Sequence, residues 1–262
     1  MGAGGTITAM LLAHLAACGS QDRVAAVTLA GTVLDARSGQ RDPAAALAAV
    51  AESERAGHLD GRPLLAELAW RAPDTLLWPQ AVQSYLSDGE PPSSEVLFWL
   101  TDTTRAPAAL HRDLVDVALR APLAVPGAAT VLGTPVDLAK VDRDCYLVAG
   151  ASDPVTTWHD AYAVADLLGG TCRFVLATGG HAASLVCPPG GVGAGFRAGT
   201  AVPGGDPERW LAEAEEQPGS WWTDHLAWLV ARSGPVQDAP PELGGRGMHA
   251  LAPAPGAYVL GR

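Results

Sequence analysis

Basic residues are scarce in this 262-residue chain, and lysine occurs only once. The 17 Lys and Arg residues stand against 28 Asp and Glu residues, which gives a formal net charge of −11 at pH 7. The basic residues are scattered singly and form no cluster. Because an acidic protein without a basic patch repels polyanions, the composition argues against nucleic-acid binding.

Cysteine is also rare, with four residues, and none lies in a CxxC pair or at a metal-ligand spacing from histidine. This pattern predicts neither a disulfide framework nor a metal site, and it is typical of a reducing compartment. Long apolar runs are missing as well. The segment ITAMLLAHLAA is too short and too interrupted for a membrane span, and it lacks the charged flank of a signal peptide. We therefore predict a cytoplasmic protein with no membrane span, no metal and no cofactor.

The chain does have enough apolar content for a large core. Hydrophobic residues make up 48% of it, which at this length predicts a single domain covering residues 1–262. Helical stretches that Pro and Gly interrupt at short intervals predict a helical cap at about 38–122. Residues 1–37 and 123–262 then form the core of the domain.

Helix and strand patterns alternate in this predicted core. Residues 6–18 have the apolar spacing of a helix, and RVAAVTLAG at 23–31 is typical of a short buried strand. CYLVAG at 145–150 and RFVLAT at 173–178 predict two further strands, with a helical segment between them. Short links between such elements predict an α/β fold with a parallel sheet.

Two segments near the C-terminus complete the predicted elements. The Gly-rich stretch at 188–205 is predicted to be a loop, and it lacks the strand–turn–helix context of a phosphate site. PGSWWTDHLAWLVARSG, at 218–234, predicts an amphipathic helix that turns Trp221, Trp222, Trp228 and Leu229 toward the core.

Each of the two later strands is followed by a residue that can take part in catalysis. Asp153 comes after the strand at 145–150, and His181 comes after the strand at 173–178. Ligands of open α/β sheets bind at the carboxyl ends of the strands, where we expect both side chains. Asp153 has a second interpretation as a cap for the helix that begins near Thr156, and the two roles are compatible.

The chain opens with a Gly-rich turn, MGAGGT, directly before the first helix. Hydrolases mount their nucleophile on such a turn and carry nucleophile, Asp and His in that order. The turn, Asp153 and His181 have this order here, but the turn contains neither Ser nor Cys. In such a triad the Asp fixes the tautomer of the His, and the His exchanges a proton with the nucleophile. The pattern therefore predicts the Asp and His part of a triad.

Several blocks extend this pattern along nearly the whole chain. They include GGT before the Ala-rich helix, FWLTDTTRAPAALH, LGTPVDLAKVDRDCYLVAGASDPV, FVLATGGHAASLVCPP and PGSWWTDHLAWLVARSG. Together they resemble the C-terminal part of the polyhydroxyalkanoate synthases, relatives of the α/β-hydrolases that polymerise hydroxyacyl-CoA thioesters. The resemblance implies an α/β-hydrolase-like parallel sheet with a helical cap and a hydroxyacyl-CoA substrate. It also implies a homodimer or attachment to polymer granules, neither of which follows from the residues.

The resemblance also assigns roles to individual residues. Asp153 and His181 take the Asp and His positions of the family's catalytic triad. His111, in the block RAPAALH, is placed in the cap near the substrate channel, without a chemical role.

The nucleophile position is where the chain departs from the family. Aligning the box on Gly4 and Gly5 places Gly2 at the position of the family's Cys, with the N–H of Ala3 as oxyanion donor. Gly2 has no side chain that can attack a thioester. Cys187 lies six residues after His181, but LVCPPG offers no presenting turn, so we interpret Cys187 as structural.

Family members also carry an N-terminal region and the first strands of the sheet ahead of the box. Without them we expect the strand at 23–31 to be an unpaired sheet edge. Three hypotheses follow: a truncated polyhydroxyalkanoate synthase-like acyltransferase, a non-catalytic relative that binds a ligand or a partner, and an esterase or lipase of the same fold, against which the cap blocks argue. A misassigned start would explain the missing strands but would not restore a Cys at Gly2.

Overall fold

The computed structural model describes residues 1–35, 42–62, 70, 78, 82, 85, 105–153, 155–181, 183–191, 193–239, 244–245 and 247–249. The helical cap was predicted at about 38–122, and most of its residues between 63 and 104 lie outside the described residues. The chain divides into two units. The first comprises Met1–Ala44 and Asp113–Gly234, and the second comprises Ala45–Arg112 and Pro235–Arg262.

The first unit is built around a five-stranded sheet. Its strands are β1 (Ala26–Ala30), β2 (Asp144–Gly150), β3 (Cys172–Ala177), β4 (Gly195–Thr200) and β5 (Glu215–Pro218). The α-helices whose residues are described are α1 (Ala3–Ala17), α2 (Pro43–Ala56), α3 (Ala108–Arg120), α4 (Trp158–Tyr162), α5 (Pro207–Glu213) and α6 (Trp222–Val230). Short 3-10 turns cover Gln21–Arg23, Pro122–Ala124, Leu138–Lys140 and Ala163–Asp166. Two-residue ladders pair His58–Leu59 with Ala106–Pro107, Thr130–Val131 with Thr134–Pro135, and Gly244–Gly245 with Met248–His249.

The strands lie in the order β1-β2-β3-β4-β5. β1, β2 and β3 are parallel, with Leu29 opposite Leu147 and Leu147 opposite Phe174. β4 and β5 continue the sheet in antiparallel pairing. The predicted α/β class is confirmed, with a sheet that is parallel at β1 to β3 and antiparallel beyond.

Both faces of the sheet are covered by apolar side chains. Alternate residues of β2 point to opposite faces, so Leu147 belongs to one hydrophobic cluster and Tyr146 and Val148 to another. The first cluster contains the buried Leu12 of α1, and the second contains Trp221 at the start of α6. Burial on both faces explains why β2 and β3 are continuous apolar runs in the sequence.

The predicted loop at 188–205 is wrong in its middle, because Gly195–Thr200 forms strand β4. Antiparallel pairing with β3 takes up the backbone hydrogen bonds of this segment, and Phe196 is buried beneath it. The small residue Gly199 lets the ring of Trp210 lie against the strand, since a Cβ there would meet the indole nitrogen at 3.0 Å. Pairing with a neighbour thus overrides the turn character of a Gly-rich sequence.

The predicted helix near the C-terminus is present as α6, but one of its four core residues is misplaced. Trp221 is buried, and Trp228 and Leu229 are half-buried, whereas 46% of Trp222 is exposed. The indole N–H of Trp222 donates to the carbonyl of Leu185 at 3.0 Å. This hydrogen bond holds the ring along the surface of the unit.

A polar network attaches α6 to the sheet. The guanidinium of Arg173 on β3 binds both carboxylate oxygens of Asp224 on α6, at 2.6 and 2.9 Å. The hydroxyl of Tyr146 on β2 donates to the same carboxylate at 2.7 Å. One carboxylate on the helix therefore joins two neighbouring strands.

Within the described residues, β1 is an edge strand, since all its ladder partners belong to β2. Beside it, α1 is apolar around much of its circumference and exposes about half of Ile7 and Leu11. In the described part of the chain, no helix combines the length and the apolar character needed to cross a membrane.

Candidate active site

Asp153 and His181 lie in the loops that follow two adjacent strands. β2 ends at Gly150 and β3 ends at Ala177, so each residue stands three or four positions beyond its strand. Because β2 and β3 are parallel, these loops leave the same edge of the sheet. The structure brings the two side chains together, with Nδ1 of His181 2.7 Å from Oδ2 of Asp153.

The second carboxylate oxygen of Asp153 organises its own loop. Oδ1 accepts hydrogen bonds from the backbone N–H groups of Val155 and Thr156, at 2.8 and 2.9 Å. The residue that caps α4 is Thr157, whose side chain accepts from the N–H of Asp160. Asp153 therefore closes the turn that precedes the helix, and it does so while it binds His181.

The Asp–His contact shifts the pKa values of both groups. Burial of the Asp153 carboxyl opposes its ionisation, but hydrogen bonds from His181 and from two backbone N–H groups outweigh this effect and lower its pKa. The hydrogen bond to Asp153 raises the pKa of His181 above its ordinary value, although burial acts in the opposite direction. Both shifts favour a carboxylate that faces a protonated imidazole.

This pairing leaves one nitrogen of His181 for chemistry. A carboxylate only accepts hydrogen bonds, so Nδ1 of His181 keeps its proton and Nε2 is the nitrogen that gains and loses one. Nε2 has no hydrogen-bond partner among the described residues, and 35% of the His181 side chain is exposed, against 2% for Asp153. The arrangement is that of a general base oriented by a buried carboxylate.

Gly150 brings the two loops close together. A Cβ at this position would lie 2.7 Å from the hydroxyl of Ser184 and 3.0 Å from the carbonyl oxygen of Gly179, so a side chain would force these groups to shift. The loops are also joined by a hydrogen bond from the N–H of Ser152 to the same Gly179 carbonyl, at 3.0 Å. The glycine at the end of β2 therefore allows the two loops to approach each other closely.

Gly2 occupies a sharp turn before α1. Its φ is 50° and its ψ is −127°, a conformation that side chains rarely adopt and glycine adopts readily. The N–H of Gly2 donates to the carbonyl of Ala30 at 3.2 Å, which places the turn beside the carboxyl end of β1. Ala3 begins the helix, where no preceding turn supplies a carbonyl for its N–H. Gly2, Asp153 and His181 therefore share one edge of the sheet.

Gly2, in the turn, and Gly5, in the first turn of α1, differ in the space around them. Apart from its two chain neighbours, no described residue would have a heavy atom within 4 Å of a Cβ at Gly2, so the position has room for a side chain. A Cβ at Gly5 would lie 2.0 Å from the hydroxyl oxygen of Thr32. Gly5 is thus required for α1 to approach the chain after β1, whereas Gly2 is required only for its backbone conformation.

A cavity of about 270 Å³ opens beside Gly2. One side is formed by the start of α1 and by the residues after β1, and the other side by α3. It is lined by Gly2, Ala3, Thr6, Gly31, Val33, Leu34, Leu114, Val115, Val117, Ala118 and Thr156.

Sequence reasoning missed the wall of this cavity on α3. Leu114, Val115, Val117 and Ala118 are all half-buried and line the space. In the sequence their spacing is that of an apolar helix face packed on a core. No sequence signal separates a face that lines a cavity from one that is fully packed, so only the structure could identify them.

His111 lies in the second unit, and its contacts there are structural. Ser53 donates its hydroxyl hydrogen to the carbonyl of Val50 at 2.8 Å, so it accepts the hydrogen bond from Nδ1 of His111 at 2.9 Å. This bond joins α2 to α3. A position of His111 near a substrate channel stays a prediction.

None of the four cysteines hydrogen-bonds to the Asp–His pair in the part of the chain that is described. Cys145 and Cys172 are buried in the sheet. Cys18 follows the last residue of α1, at the opposite end of the helix from Gly2, and Cys187 is half-buried. The described residues also contain no group of three His, Cys, Asp or Glu side chains that could hold a metal ion.

No protein-family model matches the chain. It is similar, however, to curated proteins along almost its whole length. It is 42% identical to "Poly(3-hydroxyalkanoate) polymerase 2" of Ectopseudomonas oleovorans, over 99% of this chain and 47% of that protein. It is 37% identical to "Poly(3-hydroxyalkanoate) polymerase subunit PhaC" of Cupriavidus necator, over 98% of this chain and 45% of that protein. The chain thus spans about half the length of the relatives it matches.

Proposed function

Since this chain is related along almost its whole length to the poly(3-hydroxyalkanoate) polymerases, we propose that it carries an acyl-transfer site for hydroxyacyl-CoA thioesters. The observation that supports the proposal is the 2.7 Å contact between the buried carboxylate of Asp153 and His181, whose Nε2 has no hydrogen-bond partner in the described part of the chain. The turn at Gly2, Asp153 and His181 follow one another in the chain order of a hydrolase triad, and all three lie at the same edge of the sheet.

In this proposal His181 and Asp153 have separate roles. Nε2 of His181 accepts the proton of the attacking group and then gives it to the leaving sulfur. Asp153 holds the imidazole with Nδ1 protonated and stabilises the imidazolium that forms. The N–H of Ala3 donates to the oxyanion that develops on the thioester carbonyl.

Transfer through the turn needs a thiol that Gly2 lacks. With a Cys at this position, the thiolate attacks the thioester carbonyl, the C–S bond to CoA breaks, and CoA leaves with the proton held by His181. The hydroxyl of a second hydroxyacyl group then gives its proton to His181 and attacks the carbonyl of the acyl-enzyme. An ester bond forms, the C–S bond to the Cys breaks, and the Cys sulfur leaves with the proton held by His181.

Gly2 itself favours a second candidate function. A chain that keeps the Asp–His pair and the cavity but has no nucleophile at the turn is suited to bind a hydroxyacyl ligand without transferring it, or to pair with an active partner. Such a protein is folded and never carries an acyl group at the turn.

One assay separates the two candidates. CoA release from 3-hydroxybutyryl-CoA is measured for the protein, for Gly2→Cys and for Gly2→Ala, which shares the added Cβ but has no thiol. Acyl transfer predicts release by Gly2→Cys alone, and loss of that release on adding His181→Gln. Silence in all variants, with unchanged circular-dichroism spectra, contradicts acyl transfer through position 2.

A further inference from the structure

We infer that Cys145 and Cys172 are an oxidisable dithiol, which a small disulfide such as glutathione disulfide converts into a disulfide bond between β2 and β3 within the folded sheet. The proposed acyl transfer uses neither residue, so the inference goes beyond that function and does not depend on it. The pair lies at the amino ends of the two strands, whereas Asp153 and His181 follow their carboxyl ends.

The register of the sheet places the two cysteines side by side. Cys145 and Cys172 are partners in the parallel ladder between β2 and β3. Both side chains belong to the same hydrophobic cluster, so they leave the sheet on the same face. Neighbouring strands lie about 4.8 Å apart, and cysteines whose Cα atoms are about 4.4–6.8 Å apart can be bridged. The two residues are distant in the sequence, so only the register reveals them as a pair.

The two thiols differ in how readily they ionise. A hydrogen bond from Cys145 to the sulfur of Cys172 lowers the pKa of Cys172. The same bond, together with burial, raises the pKa of Cys145. Because the thiolate is the nucleophile in disulfide exchange, Cys172 is the attacking residue and Cys145 is the residue that completes the new bond.

The exchange takes place in two steps. Cys172 gives its proton to water, and its thiolate attacks one sulfur of glutathione disulfide. A mixed disulfide forms, and the first glutathione leaves as a thiolate. Cys145 then gives its proton to water and attacks the sulfur of Cys172, and the second glutathione leaves. Each departing sulfur takes up a proton, so two protein thiols are oxidised while glutathione disulfide is reduced to two glutathione molecules.

The turn before β3 gives a route to the buried pair. Cys145 is fully buried and Cys172 is 3% exposed, but Gly169 and Thr171, just before β3, are exposed. Local opening at the end of a strand costs less free energy than unfolding of the whole domain, and it is sufficient to admit a small reagent. A purely structural role, in which the cysteines only fill the core, predicts two thiols that never join.

The test begins with the folded protein, incubated with glutathione disulfide in the absence of denaturant. The remaining thiols are alkylated with N-ethylmaleimide in urea, and the masses of the tryptic peptides are measured. Both cysteines fall in the peptide 144–173, because no Lys or Arg stands between Arg143 and Arg173. A disulfide makes this peptide lighter by two hydrogen atoms and prevents both alkylations. We expect this lighter peptide, and its conversion to the doubly alkylated form if dithiothreitol precedes the alkylation.

A second measurement asks whether the native sheet accommodates the bond. Cys18→Ser/Cys187→Ser keeps only the pair, and its urea midpoint should rise on oxidation and return to the reduced value in dithiothreitol, because a disulfide restricts the unfolded chain. The matched control adds Cys145→Ala, which retains Cys172 but cannot complete the bond, and its midpoint should not rise. Cys145→Val replaces Cys145→Ala if the latter unfolds.

Three results would overturn the inference. One is a peptide 144–173 that stays doubly alkylated in protein whose exposed Cys18 has taken up glutathione. The second is a glutathione adduct that persists on Cys172, since Cys145 should displace it. The third is a urea midpoint that does not rise on oxidation, which contradicts a bond within the folded sheet. Release of CoA by Gly2→Cys is unaffected by any of these results, so the inference and the proposed function fail separately.

Discussion

His181 and Asp153 form a hydrogen bond of 2.7 Å in which the carboxylate is buried and the imidazole is one-third exposed. The bond lowers the pKa of Asp153 against the effect of burial and raises the pKa of His181. The pair is therefore a pH-dependent source of stability as well as a candidate proton relay.

We expect Asp153→Asn to destabilise the protein more at pH 5 than at pH 9. A lowered carboxyl pKa stabilises the fold above the ordinary value of 3.8, and this contribution is lost as the pH falls through the lower folded value. A raised imidazole pKa stabilises it below 6.5, and this contribution is lost as the pH rises through the higher folded value. Both contributions are complete only between these limits.

Urea unfolding of the protein and of Asp153→Asn at the two pH values measures this difference. Asp116→Asn is the control, because Asp116 pairs with Arg120 on an exposed helix face. An equal loss of stability at pH 5 and pH 9 would show that the pair contributes no charge interaction.

Gly2→Ala and Gly2→Cys should each lower the free energy of unfolding by about 1–3 kcal/mol, and by similar amounts. The cost comes from the backbone, because φ is 50° and a Cβ there meets no atom within 4 Å. Gly4→Ala should be neutral or stabilising, since Gly4 lies inside α1 and also has open space around its Cβ position. A much larger loss for Cys than for Ala would indicate a steric conflict at the turn.

Gly150→Ala should destabilise the protein by about 1–3 kcal/mol and separate the two loops that carry Asp153 and His181. The added methyl group meets the Gly179 carbonyl and the Ser184 hydroxyl, which must move apart. Gly234→Ala is the matched control, because a Cβ there has no neighbour within 4 Å. If both variants unfold at the same urea concentration, the close approach at Gly150 is not required.

Asp224→Ala should cost about 2 kcal/mol, because it leaves Arg173 and Tyr146 without their shared acceptor. Tyr146→Phe removes one hydrogen bond and should cost less, about 1 kcal/mol. Glu213→Ala, which breaks an exposed pair with Arg209, should cost under about 0.5 kcal/mol. Thermal unfolding of the three variants ranks them, and a loss in Asp224→Ala no greater than that in Glu213→Ala would contradict the role of the network.

The parallel strands β2 and β3 were predictable because the feature that marks them, a continuous run of apolar residues, is visible in a short stretch of sequence. β2 and β3 are buried on both faces, so their sequences are continuous apolar runs bounded by polar loops. Strand β4 was not predictable in this way. Its Gly-rich sequence has the local character of a turn, and it is a strand because β3 offers an unpaired edge and Trp210 needs a small residue beneath it.

The candidate site also has a part that the sequence could predict and a part that it could not. Chain order and the position after a strand were sufficient to single out Asp153 and His181, since parallel strands place their following loops at one edge. The two N–H groups that bind Oδ1 of Asp153, and the need for Gly150 between the loops, depend on atoms that are distant in the sequence or set by turn geometry.

The sequence by itself determined the α/β class, the order of turn, Asp and His, and the relation to the polymerases, because each of these is carried by residue identity and spacing along the chain. Only the tertiary structure decided that the Asp–His pair meets at 2.7 Å, that Gly2 has room for a side chain, and that a cavity lies beside it. These depend on how separate segments approach one another in space, and packing between distant residues leaves no periodic pattern in a single sequence.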